Sequence, residues 1–310
     1  MGMFSAALIW GTWVLVLTGV TLPGFFVTTI TSFTGFLALF IYINVSGKQR
    51  SFREVIKSPR LFCFIMGNAF LEAGQNTLFM IALQLAIASG GSVLIPIIRS
   101  FIGVITPILA VFISKKEHFH FQYLLCGIVS TIGAIMLFSW GGIEIGQRVS
   151  YLGLSLVVIS VFISALQYIA QRFMALEMTR ANQDEYNVVT YQVAITGIFL
   201  LPLVIGYLTF GYEKSLGNLV SQFSYISIFG LTHVALAFVL RLHSLKYIST
   251  QQSVIIAYLE PLTSISLSIV FLGEKVNAGF FIGAILIVGS AFVSTLKSVE
   301  PIQSKSIVRE

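Results

Sequence analysis

Charge is scarce in this sequence: only 10% of its 310 residues are Asp, Glu, Lys or Arg, where a soluble domain carries roughly a quarter. With 56% hydrophobic residues, a water-soluble fold of this size could not hide its apolar surface. Cysteine is nearly absent. Cys63 and Cys126 both fall inside apolar runs, so they read as small packing residues, not as a disulfide or a metal pair. Equally missing are a Gly-rich loop ending in Lys-Ser/Thr, His/Cys metal spacing and a serine elbow motif. These absences argue against an enzyme, an ATP-driven pump and a bound cofactor. The formal charge of +6 does not point to nucleic acid, because the basic residues sit in short loops and not on one soluble face.

What the sequence has is apolar runs of about 20 residues, the length needed to cross ~30 Å of hydrocarbon. Charged or Gly/Pro-rich interruptions divide it into ten runs, near 3–20, 24–45, 61–84, 91–113, 120–140, 151–172, 187–209, 223–242, 251–272 and 277–297. The run from Met3 to Val20 lacks a basic leader and reads as a first span, not a signal peptide. Connections are short throughout. The expected fold is an all-α integral membrane protein with ten transmembrane helices, and lipid is its main solvent.

Lys and Arg concentrate in cytoplasmic loops. With the amino terminus inside, the inside segments hold fourteen of the eighteen basic residues, including Arg172 and Arg241. The outside loops hold three, Arg148, Lys214 and Lys275, and Arg99 lies within a span. Both termini are expected in the cytoplasm.

An internal duplication is legible. Ser92 to Gly103 in the fourth run aligns with Ser253 to Ser264 in the ninth at an offset of 161, which places Arg99 on Glu260. Gly127 and Gly133 in the fifth run match Gly283 and Gly289 in the tenth at an offset of 156. Five helices per copy is odd, so consecutive copies insert with opposite orientation. The expected result is two inverted five-helix repeats, 1–145 and 146–298, with a cytoplasmic tail at 299–310.

Tyr258-Leu259-Glu260-Pro261-Leu262, then Phe271-Leu272-Gly273-Glu274-Lys275, then Gly283 to Gly289, resembles the carboxyl-terminal signature of EamA-type members of the drug/metabolite transporter superfamily. Leu8-Ile9-Trp10-Gly11-Thr12-Trp13-Val14 is similar to the first span of that family. The resemblance implies a transporter of the bacterial inner membrane, with lipid and a small-molecule substrate as partners and no nucleic acid. It says little about substrate, since members move amino acids, amines, nucleotide conjugates and other metabolites.

Charged side chains inside a bilayer are costly and usually face a cavity or one another. Glu72, Arg99 and Glu260 are the clear cases. Asn68, Glu72, Gln75 and Asn76 fall within about 100° of helical arc, a stripe that either lines a cavity or hydrogen-bonds neighbouring helices. Ser92, Pro96 and Arg99 share a face of the fourth run; Ser253, Glu260 and Ser264 share one of the ninth. Arg99 and Glu260 then form either a permanent ion pair that sets packing register or a substrate site. In the second case Arg99 binds a carboxylate or phosphate, and Glu260 or Glu72 binds an ammonium or a proton.

His233 is a further proton-coupling candidate. Gln167 adds polar lining, and Trp10 and Trp13 offer an aromatic wall or an interfacial anchor. Pro96, Pro107 and Pro261 remove backbone donors inside spans and mark either hinges or static kinks. The expected activity is secondary transport of a small polar metabolite, an amino acid or related zwitterion. The alternatives are a transporter of nucleotide-like or phosphorylated metabolites and a non-transporting receptor.

Overall fold

A computed structural model describes residues 1–12, 22–88, 98–113, 120–139, 151–209, 214–272 and 278–296. Among these residues there is no strand. The helices are α1 (Gly2–Gly11), α2 (Gly24–Val45), α3 (Gln49–Glu54) with a 3-10 turn (Val55–Lys57), α4 (Pro59–Ala88), α5 (Ile102–Ile113) and α6 (Phe121–Ser139). They continue as α7 (Tyr151–Arg180), α8 (Glu185–Thr209), α9 (Lys214–Phe229), a π-helical segment (Gly230–Leu236), α10 (Ala237–Ser244), α11 (Thr250–Ala257), α12 (Leu259–Leu272) and α13 (Ala278–Leu296).

Local chemistry sets the ends. Gly47 (φ 72°) and Asn182 (φ 50°) stop α2 and α7 in the left-handed region, where glycine and asparagine are the least strained residues. Both ends close with the same bond pair. Lys48 N–H donates to Ile43 O (3.0 Å) and Gln183 N–H to Met178 O (3.0 Å), each beside a shorter-range bond from the preceding residue, the Schellman arrangement. At the start of α11, Ser249 Oγ accepts from Gln252 N–H, while Gln252 Oε1 accepts from Ser249 N–H, both at 3.2 Å. That reciprocal box satisfies two otherwise orphaned donors.

Among the described residues six helices are long and apolar enough to cross a membrane: Gly24–Val45, Tyr151–Arg180, Glu185–Thr209, Gln222–Ser244, Thr250–Phe271 and Ala278–Leu296. Gly2–Gly11, Ile98–Ile113 and Phe121–Leu137 are shorter apolar helices. The surface is apolar, with Leu37, Phe70, Phe112, Ile205, Ile285 and Phe292 all exposed. The interior holds Asn68, Glu72, Gln75, Gln167, Gln171, Gln192 and Arg241. Apolar outside and polar inside inverts the soluble pattern and suits hydrocarbon. The chain is an integral membrane protein.

Neighbouring helices run antiparallel. Phe64 stacks on Phe173 while Ala82 packs with Val157 and Val161, which pairs α4 with α7. Phe25 meets Tyr207 while Tyr42 meets Tyr186, so α2 pairs with α8. Gln122 bonds to Val293 O and Ser130 to Ser290, pairing α6 with α13. Gly133 and Gly283 face each other there, and a Cβ on Gly133 would lie 2.9 Å from the Gly283 carbonyl oxygen. Small residues let backbones approach where no water drives association.

Several boundaries differ from those read in the sequence. α4 and α7 each run to 30 residues, about 45 Å at 1.5 Å per residue, because good helix formers such as Met174-Ala175-Leu176-Glu177 carry α7 past the apolar run. The eighth run begins at Lys214 and contains the π-helical segment. The ninth is broken at Tyr258, between α11 and α12. Arg172 and Arg241, read as loop cations, are buried within helices.

Candidate functional site

The interior polar groups gather around Arg241. It projects from α10 with 6% exposure. Its guanidinium lies 3.9 Å from the Tyr168 ring centre and 5.2 Å from that of Trp10. Aromatic faces attract a cation without using its N–H groups. Glu72, Glu260 and the Tyr168 hydroxyl are all within Coulombic reach, yet among the described residues no carboxylate comes within 4.0 Å of it. Nε and Nη2 have no hydrogen-bond partner. A crevice too narrow to hold a water molecule opens onto Arg241 and is lined by Gln171, Met174, Gln192, Phe238, Leu242 and Leu245.

Glu72 reaches this crevice through one residue. Gln192 Nε2 donates to Glu72 Oε2 at 2.6 Å, and Thr196 Oγ1 points at the same oxygen from 3.5 Å. Gln192 and Thr196 are four apart on α8 and so share a face. Of the stripe on α4, Asn68, Glu72 and Gln75 are buried and Asn76 is half-buried, while Phe70 faces outward. Asn68 donates to Met174 Sδ at 3.7 Å and thus belongs to the α4–α7 seam.

Trp10 closes another side. Its Nε1–H donates to the His233 carbonyl at 2.9 Å, so it is an internal wall and not an interfacial anchor. His233 is buried in the π-helical segment, stacked on Phe229 at 4.1 Å. Its ring nitrogens meet Thr12 Oγ1 (3.0 Å) and Thr232 Oγ1 (2.7 Å). Single π-turns recur at functional positions in helices. Ser264 donates to Gly11 O at 2.9 Å and ties α12 to α1.

Arg99 and Glu260 do not form an ion pair. Each feels the other's charge, but Arg99 lies over the Phe79 ring at 4.2 Å, half-buried and away from the crevice. Gln167 is buried on α7. Pro107 is inside α5, whereas Pro261 sits in the first turn of α12, where a missing N–H breaks no helical bond. Trp13, Ser92 and Pro96 lie outside the described residues.

Sequence reasoning missed Arg241, Gln171, Gln192 and Tyr168 as one cluster, although Arg241 already stood within an apolar run. It also missed Tyr258. The Tyr258 hydroxyl donates to Ser100 O and meets Gly103 N–H (3.1 Å) and Thr131 Oγ1 (2.8 Å). A Cβ on Gly103 would collide with the Tyr258 ring, so glycine is required at that crossing.

Residues 151–296 match the model of the EamA-like transporter family. These residues, just under half of the chain, are of the EamA type, and the match supports a membrane transporter of the drug/metabolite type. No curated protein sequence matches the chain. A solved structure, described only as "Crystal structure of protein", superposes with a TM-score of 0.75 over 95% of this chain and 96% of its own, at 18% identity. At that identity the likeness speaks for the fold alone. Glu260 and Pro261 open α12, so the Glu-Pro pair places a half-buried carboxylate at a helix start beside the end of α1.

Proposed function

We propose that the chain is a secondary transporter that moves a small polar metabolite, an amino acid or related zwitterion, by alternating access. The observation that carries this reading is the coexistence of the buried Arg241 and Glu72 with the half-buried Glu260, both carboxylates within Coulombic reach of the guanidinium. Both charge signs in one bundle interior complement a ligand bearing both. Glu72 serves as the ammonium or proton site, Trp10 as an aromatic wall and His233 as a second proton-coupling group. Arg99, Gln75, Asn76, Gln167 and Glu260 complete the polar surround.

The mechanical half of the proposal is an inverted repeat, 1–145 and 146–298, whose halves rock about the site, with 299–310 as a tail. Helices α6 and α13, which share the 156-residue offset, pack antiparallel on each other. An in-plane twofold would also exchange the antiparallel pair α4–α7 with the pair α1–α10, where Trp10 meets Phe238. Both features support the repeat. For orientation, moving Arg172 and Arg241 out of the inside loops leaves twelve of the fourteen cations against three, which still favours cytoplasmic termini in a bacterial inner membrane.

The test is purified protein in liposomes, challenged with labelled amino acids and then with nucleotides and phosphorylated metabolites. Saturable amino-acid flux is expected. Flux of phosphorylated compounds alone would transfer the reading to that class, and binding without flux of any kind would make the protein a receptor.

A further inference from the structure

We infer that Arg241 and Gln171 form the substrate's anchoring pair. Arg241 takes a carboxylate through Nε–H and Nη2–H, and Gln171 Oε1 accepts an N–H from an ammonium next to it. This rests on the transporter reading above and moves the anion-binding role from Arg99 to Arg241.

The two nitrogens of Arg241 that lack partners are Nε and Nη2. They are adjacent on the planar guanidinium, and their N–H bonds point the same way, forming the fork that matches two oxygens of one carboxylate. The faces of the guanidinium are already engaged by Tyr168 at 3.9 Å and Trp10 at 5.2 Å. Only an edge is left. A buried cation with idle donors is expensive unless something bonds to them. Glu72 and Glu260 offset the charge from a distance and leave the fork open.

Gln171 supplies the opposite chemistry. It is 2% exposed, lines the same crevice as Arg241, and its Oε1 has no donor. Tyr168 and Gln171 are three residues apart on α7, hence on one face, so a single helix presents both the wall behind the fork and the acceptor beside it. An oxyanion with an N–H donor next to it satisfies both idle groups at once. A phosphate could donate its own P–OH to Gln171, but it brings net negative charge into an interior that already holds Glu72 and Glu260, whereas a zwitterion brings none. The rest of the crevice wall is apolar, with Met174, Phe238, Leu242 and Leu245, which suits a hydrocarbon side chain. Because the crevice is too narrow for water, α10 must separate from α7 before a ligand seats. That movement is what rocking halves provide.

Full-length protein in nanodiscs, titrated calorimetrically with aliphatic α-amino acids, their descarboxy amines, their deaminated acids and inorganic phosphate, tests the pair. The unmodified protein is expected to bind the zwitterions and to lose about ten- to a hundredfold on removal of the carboxylate, as for a charge-assisted bond pair. Arg241→Lys keeps the charge but not the fork and is expected to lose a similar factor while staying helical and monodisperse; Arg180→Lys, at the exposed end of α7, is expected to stay within about threefold. Gln171→Leu is expected to abolish the preference for an amino acid over its deaminated acid.

Unchanged zwitterion affinity in Arg241→Lys overturns the pair, as does phosphate binding alone or equal binding of the descarboxy amines. Arg241-dependent binding without liposome flux leaves the pair standing and removes the transport reading. Amino-acid flux indifferent to Arg241→Lys does the reverse.

Discussion

Replacing Tyr258 by Phe deletes one oxygen atom at the crossing of α11 with α5 and α6. That oxygen holds Ser100 O, Gly103 N–H and Thr131 Oγ1 together. In Tyr258→Phe the Ser100 carbonyl keeps a donor, because Thr131 Oγ1 bonds to it at 3.0 Å. The Gly103 N–H keeps none. Its carbonyl side cannot compensate, and lipid offers no substitute. An orphaned buried donor costs about 1–3 kcal/mol, while hydrogen bonds measured inside membrane bundles average about 0.6 kcal/mol. The expected loss is therefore about 1–2 kcal/mol, read from reversible unfolding in mixed micelles. Thr131→Val, which removes a second member of the triad, is expected to be non-additive with it by about 0.5 kcal/mol or more. A loss below about 0.5 kcal/mol together with strict additivity would refute the reasoning, because the crossing would then be held by packing alone.

Other outcomes follow from the same interior. Glu72→Gln keeps the shape at the Gln192 contact (2.6 Å) and is expected to abolish flux in liposomes without loss of monodispersity; full activity would remove Glu72 from the site. Gly230→Ala would place a Cβ against Thr34 Oγ1 and 2.7 Å from the Thr31 carbonyl oxygen, and overpacking of this kind costs about 1–3 kcal/mol in thermal or denaturant unfolding. Lys48 and Asp184 pair at 2.8 Å at the loop ends of α2 and α7, and the bond to Asp184 holds the Lys48 amine above its ordinary range. A raised folded-state pKa means the pair's contribution is present below the unfolded lysine value and fades only as pH rises through the folded one. The pair is half-exposed, so Lys48→Ala is expected to cost no more than about 1 kcal/mol, and less at high salt.

The apolar runs and the Glu72 stripe were legible because period and length are written directly in residue order. The glycines were legible as repeat equivalents, Gly127 with Gly283 and Gly133 with Gly289, but residue order did not show that Gly133 and Gly283 face each other. Arg241 was not. Counting Lys and Arg at the ends of spans assigns such a residue to a loop, and nothing in residue order says that Tyr168 and Trp10 would fold over it. Arg99 drew attention because it stood opposite Glu260 at a fixed offset, but an offset gives equivalence, not contact. The break at Tyr258 was hidden as well, since a helix pattern continues through it and only the phenol's three partners explain its position. His233 was visible as a buried polar residue, while the π-turn that carries it has no periodic signature.

The central claim is that the crevice beside Arg241 is a transport site reached alternately from the two sides of the membrane. Labelling of Leu242→Cys, an apolar lining position of the crevice, in a background with Cys63→Ser and Cys126→Ser, by a membrane-impermeant thiol reagent on oriented vesicles tests it most directly. Modification from either side, slowed by the transported amino acid, is the expected result. Modification from one side only, or labelling untouched by substrate, would contradict it.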